Sequence, residues 1–94
     1  MPAYTIARVD IHDDENYKKY AEIATEAIQK FGGEILVGGG ESFQMEGEGR
    51  KRNVIIKWPD MKTAKEFYHS DLYQKALTYG TKAAVRDYTL VEGV

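Results

Sequence analysis

Ala3-Tyr4-Thr5-Ile6-Ala7-Arg8-Val9-Asp10-Ile11, followed directly by His12-Asp13-Asp14-Glu15, decides how the rest of the chain reads. Thr5, Ala7, Val9 and Ile11 fall on one face of an extended segment; Tyr4, Ile6, Arg8 and Asp10 fall on the other. That period of two, with β-branched and aromatic content, predicts a strand. The acidic run then stops it. Asp13 is placed to cap a helix, and the acids at 14 and 15 suit the positive end of a helix dipole. Tyr17, Tyr20, Ala21, Ala24, Ala27, Ile28 and Phe31 then recur at spacings of three and four, leaving Lys18, Lys19, Glu22, Glu26 and Lys30 for solvent. This is one apolar helical stripe. Gly32-Gly33 ends it, since the left-handed residue after a helix favours the absence of a Cβ.

Beyond this βα unit, Glu34 to Val37 starts a second strand. Gly38-Gly39-Gly40 interrupts it, as a bulge or a close backbone approach, and Ser42-Phe43-Gln44-Met45-Glu46 is expected to resume it. Gly47-Glu48-Gly49-Arg50 reads as a hairpin loop, and Lys51 to Trp58 as the third strand. Asp60 caps a helix with Ala64, Phe67 and Tyr68 inward. His69-Ser70-Asp71 reads as a break and a new cap, after which Tyr73, Ala76 and Leu77 carry the stripe to about residue 84. Arg86 to Val91 is a last alternating strand. The order βαββαβ, with right-handed crossovers and a short hairpin, predicts a single α+β domain over residues 1–94. It is ferredoxin-like: a four-stranded antiparallel sheet with both helices on one face. The helix-free face should then be polar, yet Tyr4, Ile6, Ile55 and Val91 sit on it. A second copy of the chain is the simplest cover, so a homodimer is expected.

The 94 residues, of 10.7 kDa, fit one two-layer domain burying roughly two-thirds of its unfolded surface. Thirteen Lys+Arg against fifteen Asp+Glu give a net charge of −2, which offers no field to draw a nucleic acid. Arg50-Lys51-Arg52 reads as a solvated hairpin, and the third strand lacks the stacking aromatics of an RNA-recognition module. The absence of cysteine excludes disulfide, thiolate and iron–sulfur chemistry. No apolar run approaches a membrane span and no signal-peptide pattern opens the sequence, so a soluble, cytoplasmic protein is expected. The three glycines are not a phosphate loop, because no Gly-Lys-Ser/Thr follows and the next element is a strand. No metal or cofactor is expected.

Two histidines are candidates for chemistry. His12 heads an acidic run that reads as a helix cap rather than a ligand set. His69, at the break between helical segments, either satisfies free carbonyls or moves protons near neutrality. Tyr68, Ser70 and Tyr73 would shape its surroundings, Glu46 is either a strand-end acid or a pocket carboxylate, and Trp58 could form an apolar wall. The inward tyrosines are either core or the lining of a ligand pocket between sheet and helices. A cavity of at least ~300 Å³ converging on polar groups would favour a pocket; hydroxyls bonded to backbone in a filled interior would favour core.

The motifs together make a resemblance. The Ala3-Tyr4 strand, Tyr17-Lys18-Lys19-Tyr20-Ala21, Gly32-Gly33, the glycines at 39 and 40, Glu46-Gly47, Ala64 with Phe67-Tyr68, Ser70 with Tyr73-Gln74, and Leu90-Val91-Glu92-Gly93 resemble the domain of unknown function 1330 family, over essentially the full length. That family lies in the dimeric α/β-barrel superfamily. The resemblance implies a protomer whose sheet packs on a partner's sheet, and it brings no established activity with it. Superfamily members include cofactor-independent monooxygenases and isomerases, so the expected function is small-molecule handling, as a cofactor-independent enzyme of one of those types. The alternative is a non-catalytic ligand-binding or assembly module. Gly38 and Gly80 stand where the family tends to carry arginines; their absence either disfavours a carboxylate substrate or moves its anchor to Arg8, Lys57 or Arg86.

Overall fold

The computed structural model describes residues 1–94. Its elements are β1 (Ala3–Ile11), α1 (Asp14–Lys30), β2 (Glu34–Gly38), β3 (Arg52–Trp58), α2 (Met61–His69), α3 (Asp71–Ala83) and β4 (Ala84–Glu92). They form the expected antiparallel sheet in the order β2-β3-β1-β4, with the helices on one face. None of the helices is long and apolar enough to cross a membrane.

The caps form where the acids predict them. Asp13 accepts from the Asn16 amide and Asp60 from the Thr63 amide. Ser70 caps α3 through Tyr73 N–H, and Gly32 takes the left-handed conformation after α1. These amide bonds hold the carboxyls of Asp13 and Asp60 below their ordinary value of 3.8, as the Lys51 amide and then Arg50 do for Asp10. A depressed folded pKa means the unfolded chain binds the proton more tightly. The stability these groups contribute is present above pH 3.8 and is lost as pH falls through the depressed folded values. The thermal midpoint should therefore decline between pH 5 and 2, and an Asp13→Asn/Asp60→Asn variant should flatten that decline when both are followed by circular dichroism.

Thr5, Ala7 and Val9 of β1 face the helices, beside Ile56 and Trp58 of β3. The core centres on an aromatic stack, with Phe67 4.5 Å from both Trp58 and Tyr73. Gly80 is an exception to helix propensity with a packing reason: a Cβ there would stand 2.7 Å from the Tyr20 ring. α1 and α3 close on each other at that point.

The second strand is shorter than its sequence pattern suggests. The register shift falls between Ile35 and Val37, before the glycines, and β2 stops at Gly38. Residues 42–46 do not resume it. Gly39, at φ +81°, turns the chain, and the segment that follows is held by side chains. Arg8 donates to Gln44 (2.6 Å), Asn53 donates to Ser42 (3.3 Å), and Arg50 pairs with Asp10 (3.0 Å) and Asp87 (2.8 Å). Those bonds replace ladder bonds and draw the loop toward the helix-free face. β4 begins at Ala84, two residues earlier than the alternation suggests, and β3 at Arg52. On the helix-free face, Ile6 (39% exposed), Val37 (36%) and Val91 (42%) remain open.

Candidate functional site

Between the sheet and α1 lies a cavity of about 90 Å³. Small residues create it: Ala7 on β1 faces Ala21 and Ala24 on α1, and Gly38 leaves the β2 side open. The volume is several times the ~10–15 Å³ that one water needs and below the size of a drug-sized site. Its sixteen lining residues include Arg52, Arg86, Tyr17, Tyr20, Tyr88 and Thr5, and not one Asp, Glu or His.

Arg86 organises the polar end. Its Nη2 donates to Tyr20 Oη and Tyr73 Oη, both at 2.9 Å, and these two phenols bond each other at 2.9 Å. The guanidinium lies over the Tyr20 and Tyr88 rings, 4.8 and 5.6 Å from their centroids. On the other side, Trp58 Nε1–H donates to Thr5 Oγ1 (2.9 Å), which bonds Tyr88 Oη (2.9 Å). A hydrogen count follows. Within Tyr20–Tyr73 one hydroxyl hydrogen is committed and one is left over; Thr5–Tyr88 leaves another. Arg86 Nε is buried with no partner. Both ion pairs of the protein belong to Arg50, so the Arg86 charge has no carboxylate beside it. A buried charged donor left unpaired is costly in a folded protein.

Burial, and then the neighbouring Tyr73, raises Tyr20 well above an ordinary phenol; burial also raises Tyr73 and Tyr88. Burial works against the charge on Arg86, but the oxygens of Tyr20 and Tyr73 more than offset it and leave its pKa above the ordinary value. At neutral pH the cavity thus holds protonated phenols and a charged guanidinium. It can donate hydrogen bonds and stabilise negative charge, and its tyrosines are not bases.

The candidates from sequence scatter around this site. Tyr73 does not line the cavity; its buried hydroxyl bonds Tyr20 and Arg86, which do. Tyr68 is half-buried behind it, its ring 5.1 Å from Tyr88 and 5.4 Å from Tyr73. Ser70 donates to Phe67 O and accepts from Tyr73 N–H, which is a cap between helices. Trp58 is fully buried and touches the site only through Thr5. His69 is exposed at the end of α2, edge-on to Tyr68 at 5.4 Å, and does not line the cavity. Glu46 is exposed in the loop between β2 and β3. Of the three possible anchors, Arg8 is bonded to Asn53 and Gln44, Lys57 is exposed, and Arg86 lies in the cavity. Arg52, Tyr88 and Thr5 were not singled out as site residues. Each stands in the phase of its strand that faces the helices, and an arginine in that phase is the signal. No group of His, Asp and Glu is gathered in a way that could hold a metal ion.

The model of the family described as "Domain of unknown function (DUF1330)" matches residues 2–94. The chain belongs to that family. Among solved structures, this DUF1330 protein is similar to a protein of unknown function from Rhodopseudomonas palustris, at 16% identity and a TM-score of 0.80, covering 99% of this chain and 82% of that one. It is similar also to a dimeric ferredoxin-like protein of unknown function from Jannaschia sp., at 11% identity and a TM-score of 0.79, covering 99% and 100%. SnoaB, a cofactor-independent oxygenase from Streptomyces nogalater, is similar at 12% identity and a TM-score of 0.66, covering 98% and 92%. At these identities the likeness is one of fold. No curated protein matches the DUF1330 chain.

Proposed function

We propose that this protein handles a small organic anion in the cavity between its sheet and α1, as a cofactor-independent enzyme of the monooxygenase or isomerase type. The observation that carries the reading is Arg86: charged, carboxylate-free, and lining a cavity that holds no Asp, Glu or His. Both reaction types pass through an electron-rich substrate anion; the cavity lining holds no base, so the proton would pass to a group outside it, for which His69 is the candidate. An isomerase moves a double bond through an enolate. An oxygenase without a cofactor must draw electrons for dioxygen from the substrate itself. A guanidinium and fixed phenol donors lower the energy of such an anion where it forms. The fold shared with SnoaB supports the oxygenase branch by analogy alone. The tyrosine hydroxyls bond side chains rather than backbone, which supports a site over plain core; the volume of about 90 Å³ falls short of the ~300 Å³ that would favour a pocket, so the reading rests on the polar groups and the ligand is a small one.

The test is a thermal-shift series of small carboxylates and phenolates against their neutral amides and ethers. A bound acid at 100 times its dissociation constant should raise the midpoint by about 10 °C or more. Arg86→Gln should abolish that rise. Equal shifts from neutral analogues, or none from any acid, would leave the aromatic cluster as core and favour the assembly module. His69→Gln should leave binding intact; if binding persists while turnover of an identified substrate is lost, His69 is the proton carrier.

The proposed partner is a second copy of the chain. Val37, Ile55, Ile6 and Thr89 form one cross-strand row over all four strands of the helix-free face. Beside it run Tyr4 and Val91. An apolar row flanked by polar side chains suits sheet-on-sheet packing, and a stable interface of that kind buries upwards of about 2,000 Å².

A further inference from the structure

Arg52 and Arg86 are both registered against Val9, one from β3 and the other from β4. They therefore occupy one cross-strand row on the helix-facing side, one on each flank of β1. Two strand spacings separate their Cα atoms by about 10 Å. Both line the same cavity. Neither has an acid, since Asp10 and Asp87 are both taken by Arg50. Arg52 resembles Arg86 in its support as well. Its Nε donates to Tyr17 Oη at 3.2 Å and its guanidinium lies 5.6 Å from the centre of the Tyr17 ring. Gly39 makes room for it, because any Cβ there would collide with the guanidinium. Each arginine is thus propped against α1 by a phenol, with nitrogens left over.

Two like charges across a confined cavity repel each other, and no group of the protein neutralises either. A monoanion on Arg86 would answer half of this arrangement. We propose that the ligand is a small dicarboxylate, one carboxylate held by Arg86 with the Tyr20 hydroxyl, the other by Arg52 beside Tyr17. The proposal rests on the anion reading above and narrows it to a substrate class. A guanidinium from each flank of β1 suits carboxylate chemistry, and two charges on opposite flanks of the strand favour a ligand charged at both ends over one compact centre.

Isothermal titration with the straight-chain saturated dicarboxylates of two to four carbons, the sizes closest to the cavity's volume, each beside its half-methyl ester at pH 7, tests it. The half-ester keeps the span and loses one charge. The best diacid should bind at least about 10-fold more tightly than its half-ester. Arg52→Gln should erase that gap while leaving the half-ester within about twofold of its wild-type affinity. Arg52→Lys, which keeps the charge without the fork, should restore part of it. Diacid and half-ester binding alike, with both still dependent on Arg86, would overturn the dicarboxylate assignment and leave the anion reading standing. Inorganic phosphate outcompeting every diacid would overturn it in favour of a compact anion. If no acid binds, or if Arg86→Gln changes nothing, the anion reading itself falls.

Discussion

Truncating Trp58 to alanine is expected to cost about 3–5 kcal/mol, a large share of the stability of a domain this size. The indole is completely buried, stacked 4.5 Å from Phe67, and its N–H is held by Thr5. Gly33 lies so close that a Cβ there would stand 2.8 Å from the indole ring. A cavity of that size costs about 3–5 kcal/mol, against a total of about 5–15 kcal/mol for a domain. Thr5 would also lose its donor, which loosens the Tyr88 side of the candidate site. Urea unfolding followed by circular dichroism measures the loss, and Trp58→Phe separates its parts. The phenylalanine variant keeps most of the packing and forfeits one buried hydrogen bond, at about 1–2 kcal/mol. A loss below about 1 kcal/mol for the alanine variant would show that the core does not depend on this ring.

The second large effect concerns assembly. Ile6→Asp with Ile55→Asp places two carboxylates at the centre of the helix-free face, where the two residues pair directly across the strands. In a sheet-to-sheet dimer these charges are buried without partners and meet their symmetry mates. Dissociation should strengthen by about 100-fold or more, enough to give monomers at micromolar concentration. Light scattering coupled to size exclusion reads this directly. The monomeric variant should keep its secondary structure, because both positions lie outside the protomer core. A parent protein that is itself monomeric would remove the sheet-packed dimer; a variant that stays dimeric would move the interface elsewhere.

The architecture was legible because each element carries its own period. β1 alternates, α1 repeats at three and four, and Asp13, Gly32, Asp60 and Ser70 mark the ends as capping chemistry requires. Ser42 to Glu46 misled for the same reason: alternation alone suggested a strand, while the turn at Gly39 and side-chain bonds to Arg8 and Asn53 decided otherwise. The site was harder to read. Its cavity exists because Ala7 meets Ala21 and Ala24, and that meeting depends on how α1 lies across the sheet. Arg52 and Arg86 are 34 positions apart, and only the registers against Val9 bring them into one row. His69 drew notice through its chemistry. Arg86 could have drawn it through its phase, since an arginine alternating with Tyr88 and Leu90 points where the core should be.

Gly80 also constrains the polar end of the cavity. The Tyr20 ring occupies the space that any side chain at position 80 would need. A lineage that acquired a residue there would have to surrender or displace the ring, and with it the hydroxyl that Arg86 bonds. Positions 20 and 80, on different helices and 60 residues apart, are therefore coupled by packing in this chain. The glycine on α3 preserves a phenol on α1, and through that phenol the charge geometry on β4. A substitution at a position with no side chain of its own would be felt first at the hydrogen bonds of the cavity's polar end.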